Sequence, residues 1–267
     1  MESYSRDGLR FPVRDDGPRD GEVVVLLHGF PQGPSAYDDV VPRLHEAGLR
    51  TLVPTLRGYA RSNRPAARAA YSTEETTADV VALLDVAGVE KAHIVGHDWG
   101  AAPAWAVAAW RPDRVRTLTA LSTPHPAAMR QAIRRSRQAL RSWYMAFFQI
   151  PWLPEYVAGP TLRRTLEGSG LPAAHVEEYV RAMRQPGALS GALGWYRGVP
   201  HTKRPVGRIT VPTTYLWGNA DPYLARASAE LTATRVAADY RFVELDEGHW
   251  LPEKRPAEVA DAVLAMR

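Results

Sequence analysis

Seven residues, Val95-Gly96-His97-Asp98-Trp99-Gly100-Ala101, constrain this chain more than any other stretch. An apolar, β-branched run, His93-Ile94-Val95, leads into them, and a helix-forming run from Ala101 to Trp110 leads out. A small-x-residue-x-small pattern at a strand-to-helix junction is a nucleophile elbow. So tight a turn leaves no room for side chains at its flanks, hence the glycines at 96 and 100. The central residue is strained and projects from the sheet edge. Here that residue is Asp98. A serine would attack carbonyl carbon. A carboxylate instead displaces a leaving group at saturated carbon, and water can then cleave the resulting ester. The same five-residue pattern also arises in ordinary turns, so the rest of the chain decides.

The 267 residues suffice for one large domain, or for a core with an inserted lid. Alternation of strands and helices fills the first half. Val23 to Leu27 is an uninterrupted apolar run, as in parallel strands covered on both faces. A short strand is expected from Leu9 to Val13, and others at Leu49 to Pro54, before the elbow, and at Val115 to Leu121. Between them, Ser35 is expected to cap a helix closed by Gly48, and Ser72 with Glu75 reads as a capping box for a helix ended by Gly88. This alternation predicts an α/β fold with a mostly parallel sheet and helices on both faces. From 125 to 205 it fails: helical stretches rich in Trp, Tyr, Phe and Arg follow, broken by prolines. The expectation is a core of 1–124 plus 206–267 with a helical cap, 125–205, inserted. Strands resume at Thr213 to Trp217 and Tyr240 to Leu245, and Pro256 starts a last helix facing inward at Val259, Val263 and Leu264.

The partners of a nucleophile at 98 must sit at later strand ends, in the order acid, then histidine. Asp221, in Trp217-Gly218-Asn219-Ala220-Asp221-Pro222, follows the first strand after the insertion. His249, in Gly248-His249-Trp250, follows the last strand. Asp246 and Glu247 are runner-up carboxylates, too near His249 in sequence to reach its far ring nitrogen easily. In His28-Gly29-Phe30-Pro31, the backbone N–H of Phe30 is expected to form an oxyanion hole with that of Trp99. His28 and His97 read as structural.

Composition excludes other classes. The chain has no cysteine, so neither disulfides nor thiolate metal sites are available. No His, Asp or Glu cluster has ligand spacing, so no metal is expected, and attack by a carboxylate followed by ester hydrolysis needs no cofactor. The first residues lack the apolar core of a secretory signal, and no run reaches membrane-spanning length. The expected location is cytoplasmic. Net charge is +4, and the one basic cluster (Arg130, Arg134, Arg135, Arg137, Arg141) has the spacing of a solvated helix face rather than of a nucleic-acid surface.

Taken together, His28-Gly29-Phe30-Pro31, Arg57-Gly58-Tyr59-x-x-Ser62, Gly96 to Ala101, Trp217-Gly218-x-x-Asp221-Pro222 and Gly248-His249-Trp250 resemble the α/β-hydrolase family, and within it the soluble epoxide hydrolases. Ala60 departs from that pattern, which has glycine there; a methyl group is expected to be tolerated. The core motifs are shared with haloalkane dehalogenases. The insertion separates the two, because Ser142-Trp143-Tyr144-Met145 and Leu193-Gly194-Trp195-Tyr196-Arg197 resemble the segments carrying the two lid tyrosines of epoxide hydrolases. The resemblance thus implies Tyr144 and Tyr196 as donors to the epoxide oxygen, whose alkoxide is a poor leaving group without an acid. Phe30 lacks the side-chain donor that dehalogenases often place at that position. The implied partner is a small-molecule epoxide, converted to a vicinal diol; a homodimer is compatible with the reading. Haloalkane dehalogenation, and a non-hydrolytic cyclase or ligand-binding homologue, stand as alternatives.

Overall fold

The computed structural model describes residues 1–266. Its sheet has eight strands in the order β1-β2-β4-β3-β5-β6-β7-β8. These are β1 (Ser3–Arg6), β2 (Leu9–Asp16), β3 (Val23–Leu27), β4 (Arg50–Pro54), β5 (Ala92–His97), β6 (Val115–Leu121), β7 (Thr213–Gly218) and β8 (Tyr240–Leu245). Strands β1 and β2 form an antiparallel hairpin on β4, and the other six strands run parallel. The hairpin is larger than the single short strand expected there. Asp7 and Gly8 turn it with positive φ, a conformation open to Asp as well as to glycine.

The run Val23–Leu27 shows why a central strand needs no polar residue. Val23, Val25 and Leu27 face one apolar cluster, with α2 (Thr73–Val86) and α3 (Ala101–Trp110). Val24 and Leu26 face the other, with α1 (Val41–Glu46) and the C-terminal α12 (Pro256–Leu264). Period-two alternation thus feeds two cores rather than a core and solvent. Ser72 caps α2, its side chain accepting from the Glu75 amide.

The helix expected from Ser35 is instead a 3-10 turn, Pro34–Tyr37, followed by α1 from Val41. Pro42 is the reason: it has no N–H and fits only the first turn of a helix. Ala60 takes an extended conformation, φ −97°, which its methyl group permits. In α12 Val259 and Val263 are buried, and Leu264 packs half-buried on the same cluster.

Between β6 and β7 the described chain forms six helices: α4 (Pro126–Arg135), α5 (Gln138–Arg141), α6 (Trp143–Phe147), α7 (Leu153–Gly168), α8 (Ala173–Met183) and α9 (Ala188–Gly198). Of these, α7, α8 and α9 share a third apolar cluster built on Leu162, Val176, Tyr179 and Leu193, and α6 packs against it through Tyr144 and Met145. One core residue, Trp250, is buried in it, and its indole N–H donates to Ser169 Oγ at 3.0 Å. Trp195 of α9 reaches back the other way and donates to the Arg57 carbonyl at 2.7 Å. Two short helices complete the core, α10 (Arg226–Thr232) and α11 (Leu251–Lys254).

Candidate active site

Asp98 stands where β5 ends and α3 is about to begin, with φ +49°. Left-handed backbone of this kind is uncommon for a side chain with a Cβ, and it is held here by packing. A Cβ on Gly96 would lie 2.5 Å from the Gly100 carbonyl oxygen, and one on Gly100 only 2.2 Å from that of Leu27. The strand therefore passes the helix start at a distance only glycine allows. A Cβ on Gly29 would strike Asp98 itself, 2.6 Å from Oδ1.

Three other strand ends converge on this carboxylate. After β3, the Phe30 amide donates to Asp98 Oδ1 at 2.8 Å. After β8, His249 Nε2 lies 3.4 Å from Asp98 Oδ2. After β7, Asp221 Oδ2 meets His249 Nδ1 at 2.7 Å. The amides of Tyr223 and Leu224 donate to Asp221 Oδ1 at 2.7 and 3.0 Å, so the acid is fixed by its own loop. Asp221 and His249 are buried, whereas Asp98 keeps a fifth of its side chain open to the cavity.

Electrostatics follow from this packing. Burial opposes charge on Asp98, but the hydrogen bond and charge of His249, with the Phe30 amide, outweigh it and hold the carboxyl below its usual range. Burial likewise opposes a charged His249, but Asp221 and Asp98 on its two sides raise its proton affinity. The resting pair is a carboxylate beside an imidazolium.

Asp98 and His249 open into a cavity of about 520 Å³ walled by α5, α6 and α7. Tyr144 and Tyr196 both line it, their rings 6.0 Å apart and edge-to-face. Burial and the nearby Asp98 push the Tyr144 phenol well above its ordinary value; burial, Tyr144 and Asp98 do the same for Tyr196. Both are proton donors at neutral pH. Trp99 packs edge-to-face on Tyr196 at 4.7 Å, but among the described residues its amide makes no hydrogen bond to the resting carboxylate.

Three contributors have no counterpart in the sequence reading. Tyr223 packs edge-to-face on His249 at 5.0 Å and also lines the cavity; its place directly after Asp221-Pro222 is the only signal for it. Ser122 Oγ donates to the His249 carbonyl at 2.8 Å. Gln32 accepts from the Gly29 amide at 2.6 Å and faces His97 Nδ1 at 2.9 Å. His97 Nε2 in turn meets the His249 carbonyl at 2.9 Å. His97 is thus a buried hydrogen-bonding residue, and burial lowers its pKa to about 3. His28, lowered to about 4 by burial, accepts from the Leu56 amide at 3.2 Å. Asp246 and Glu247 do not reach the His249 ring; Glu247 pairs with Lys254.

Residues 22–256 match the α/β hydrolase fold family. The chain belongs to that family. It is 34% identical to "Epoxide hydrolase A" of Mycobacterium tuberculosis over 97% of this chain and 94% of that one. It is 33% identical, with the same coverage of each, to "AB hydrolase superfamily protein YfhM" of Bacillus subtilis. The crystal structure of epoxide hydrolase A from Mycobacterium thermoresistibile superposes with a TM-score of 0.86 at 30% identity, over 99% of this chain and 96% of that one. At the turn between β5 and α3 this member of the family carries Asp98 rather than a serine.

Proposed function

We propose that the chain is an epoxide hydrolase that opens an organic epoxide to a vicinal diol through an ester on Asp98. The observation that carries the reading is one cavity holding an ionised Asp98, the His249–Asp221 pair and two protonated phenols. Relatives named epoxide hydrolase support it.

In the first step a carboxylate oxygen of Asp98 attacks an epoxide carbon. The C–O bond breaks, and Tyr144 and Tyr196, reaching from a cap formed by the helices between β6 and β7, donate to the departing oxygen. Ester formation removes the Asp98 charge that holds His249 protonated, so the imidazolium gives up its proton to replace the one the phenols donated, and the neutral imidazole becomes available as a base. In the second step His249, oriented by Asp221, takes a proton from water. The hydroxide adds to the ester carbonyl carbon, and the oxyanion is held by the amides of Phe30 and Trp99; its collapse breaks the bond to the diol oxygen, which takes the proton of the new carboxyl and so restores the Asp98 carboxylate beside a protonated His249. No cofactor enters either step. Cytoplasmic location is part of the reading.

A single turnover in heavy-oxygen water tests it. Label should enter the Asp98 carboxylate and not the diol, because water attacks the carboxyl carbon. Label appearing directly in the diol would make Asp98 a general base. Faster turnover of haloalkanes than of any epoxide would favour a dehalogenase.

A further inference from the structure

The mouth of the cavity has a surface that the chemistry does not need. Eight of the ten large apolar side chains exposed among the described residues fall between Ile133 and Val157. Leu140 (73% exposed) and Trp143 (66%) form one rim of the cavity, and Val157 belongs to the other. Trp152 (78%) and Tyr156 (79%) stand one helical turn apart at the start of α7, beside Leu153 and Val157. Trp152 has φ +49°, a left-handed backbone that a bulky residue rarely adopts. Its side chain gains no burial from that conformation. Apolar exposure this concentrated marks an interaction site.

Charge indicates the occupant. From Thr117 to Pro154 the chain has five arginines and no Asp or Glu. Arg130, Arg134, Arg135, Arg137 and Arg141 are exposed, and Arg141 lines the cavity beside Leu140. A second copy of the chain would bring the same positive charge against this face. A surface of anionic lipid complements both features: indole and phenol rings settle at the headgroup level, and arginines pair with phosphate.

We propose that the face around the cavity mouth, centred on Trp143, Trp152 and Tyr156 and flanked by the α4–α5 arginines, docks on an anionic lipid surface, so that lipophilic epoxides enter from the lipid phase. The docking stands on this surface alone; only the entry of epoxides rests on the function proposed above. The test is sedimentation of the full chain with vesicles of phosphatidylcholine mixed with phosphatidylglycerol, and with pure phosphatidylcholine vesicles. The chain should pellet with the mixed vesicles and scarcely with the pure ones. Trp152→Asn with Tyr156→Ser should reduce partition at least tenfold, since Asn accepts the left-handed backbone and the fold is kept. Arg134→Gln with Arg137→Gln should reduce it about thirtyfold, roughly fivefold per arginine. Both variants should turn over a water-soluble epoxide at the parent rate, and lose rate only on a long-chain epoxide dissolved in the vesicles. Equal pelleting by parent and variants, or none by the parent, overturns the docking. So does a parent dimer that Trp152→Asn dissociates without any vesicle binding. A chain that pellets as expected but hydrolyses no epoxide leaves the docking intact and removes the function.

Discussion

In the mechanism proposed above, a carboxylate nucleophile divides the labour of the site differently from a serine. Serine must be deprotonated for attack, so its histidine serves both half-reactions. Asp98 is already ionised, held below its usual range by His249 and the Phe30 amide. On the proposed mechanism its attack needs no base, and His249 is needed only for the water step. His249→Gln should therefore consume about one equivalent of epoxide per enzyme and stop. Mass spectrometry should find the whole substrate added at Asp98; sustained turnover by this variant would contradict the assignment. The phenols work on the other partner of the same step. Tyr144 and Tyr196 share one cavity at 6.0 Å between rings, so either alone can still donate to the departing oxygen. Tyr144→Phe or Tyr196→Phe should leave residual activity, and the double variant should lose about 10²- to 10⁴-fold, the usual range of general acid catalysis. Wild-type turnover in the double variant would remove the phenols from the mechanism.

Secondary-structure elements show where the sequence was legible. The tight turn at Asp98 was, because Gly96 and Gly100 answer a local steric demand that leaves its mark in seven consecutive residues. Asp221 and His249 were legible through their order along the chain. Gln32 and Ser122 were not, because each serves through a contact with a segment distant in sequence. The N-terminal hairpin was half-read for the same reason. Its strand β2 alternates exposed and buried residues over Arg10–Val13, but what anchors it is Asp15, which accepts from Arg50 Nε at 2.7 Å and Nη2 at 2.8 Å and also pairs with the amino group of Met1. Arg50 outweighs desolvation and holds the Asp15 carboxyl down at about 2. A carboxyl lowered on folding stabilises above its unfolded value, about 3.9, and that stability is lost as pH falls through about 2. Asp15→Asn should lower the melting temperature at neutral pH, and the difference from the parent should shrink steadily as the medium is acidified through that window. A difference that did not change with pH would mean that packing, not charge, is what the substitution removes.

Core and helical insertion meet in a buried polar chain that joins the architecture to the base. Tyr179 of α8 donates to Glu253 Oε1 of α11 at 2.8 Å, and Gln32 Nε2 donates to the same oxygen at 2.6 Å. Gln32 Oε1 faces His97 Nδ1 and the His249 carbonyl faces His97 Nε2, so close polar contacts run from the insertion to the His249 loop, although a neutral imidazole donates to only one of the two oxygens. Apolar contact alone could join the two parts, as Trp250 does within the third cluster. Directional bonds add register: they fix where α8 sits relative to the loop that carries His249. Burial disfavours charge on Glu253 and raises its pKa, which makes each remaining donor to it count. Tyr179→Phe removes one of the two donors without changing side-chain volume much. An under-satisfied buried carboxyl should cost about 1–3 kcal/mol, or a fall of roughly 3–10 °C in melting temperature for a chain of this size. Glu253→Gln should cost less, because the amide can still accept from both partners. The two changes together should be less than additive, since they act on one bond. Kinetics separate register from stability. With α8 free to shift, ester hydrolysis by His249 should slow more than ester formation by Asp98, which the glycine turn fixes independently. Equal slowing of both steps, or an unchanged melting temperature in Tyr179→Phe, would leave the insertion held by apolar packing alone.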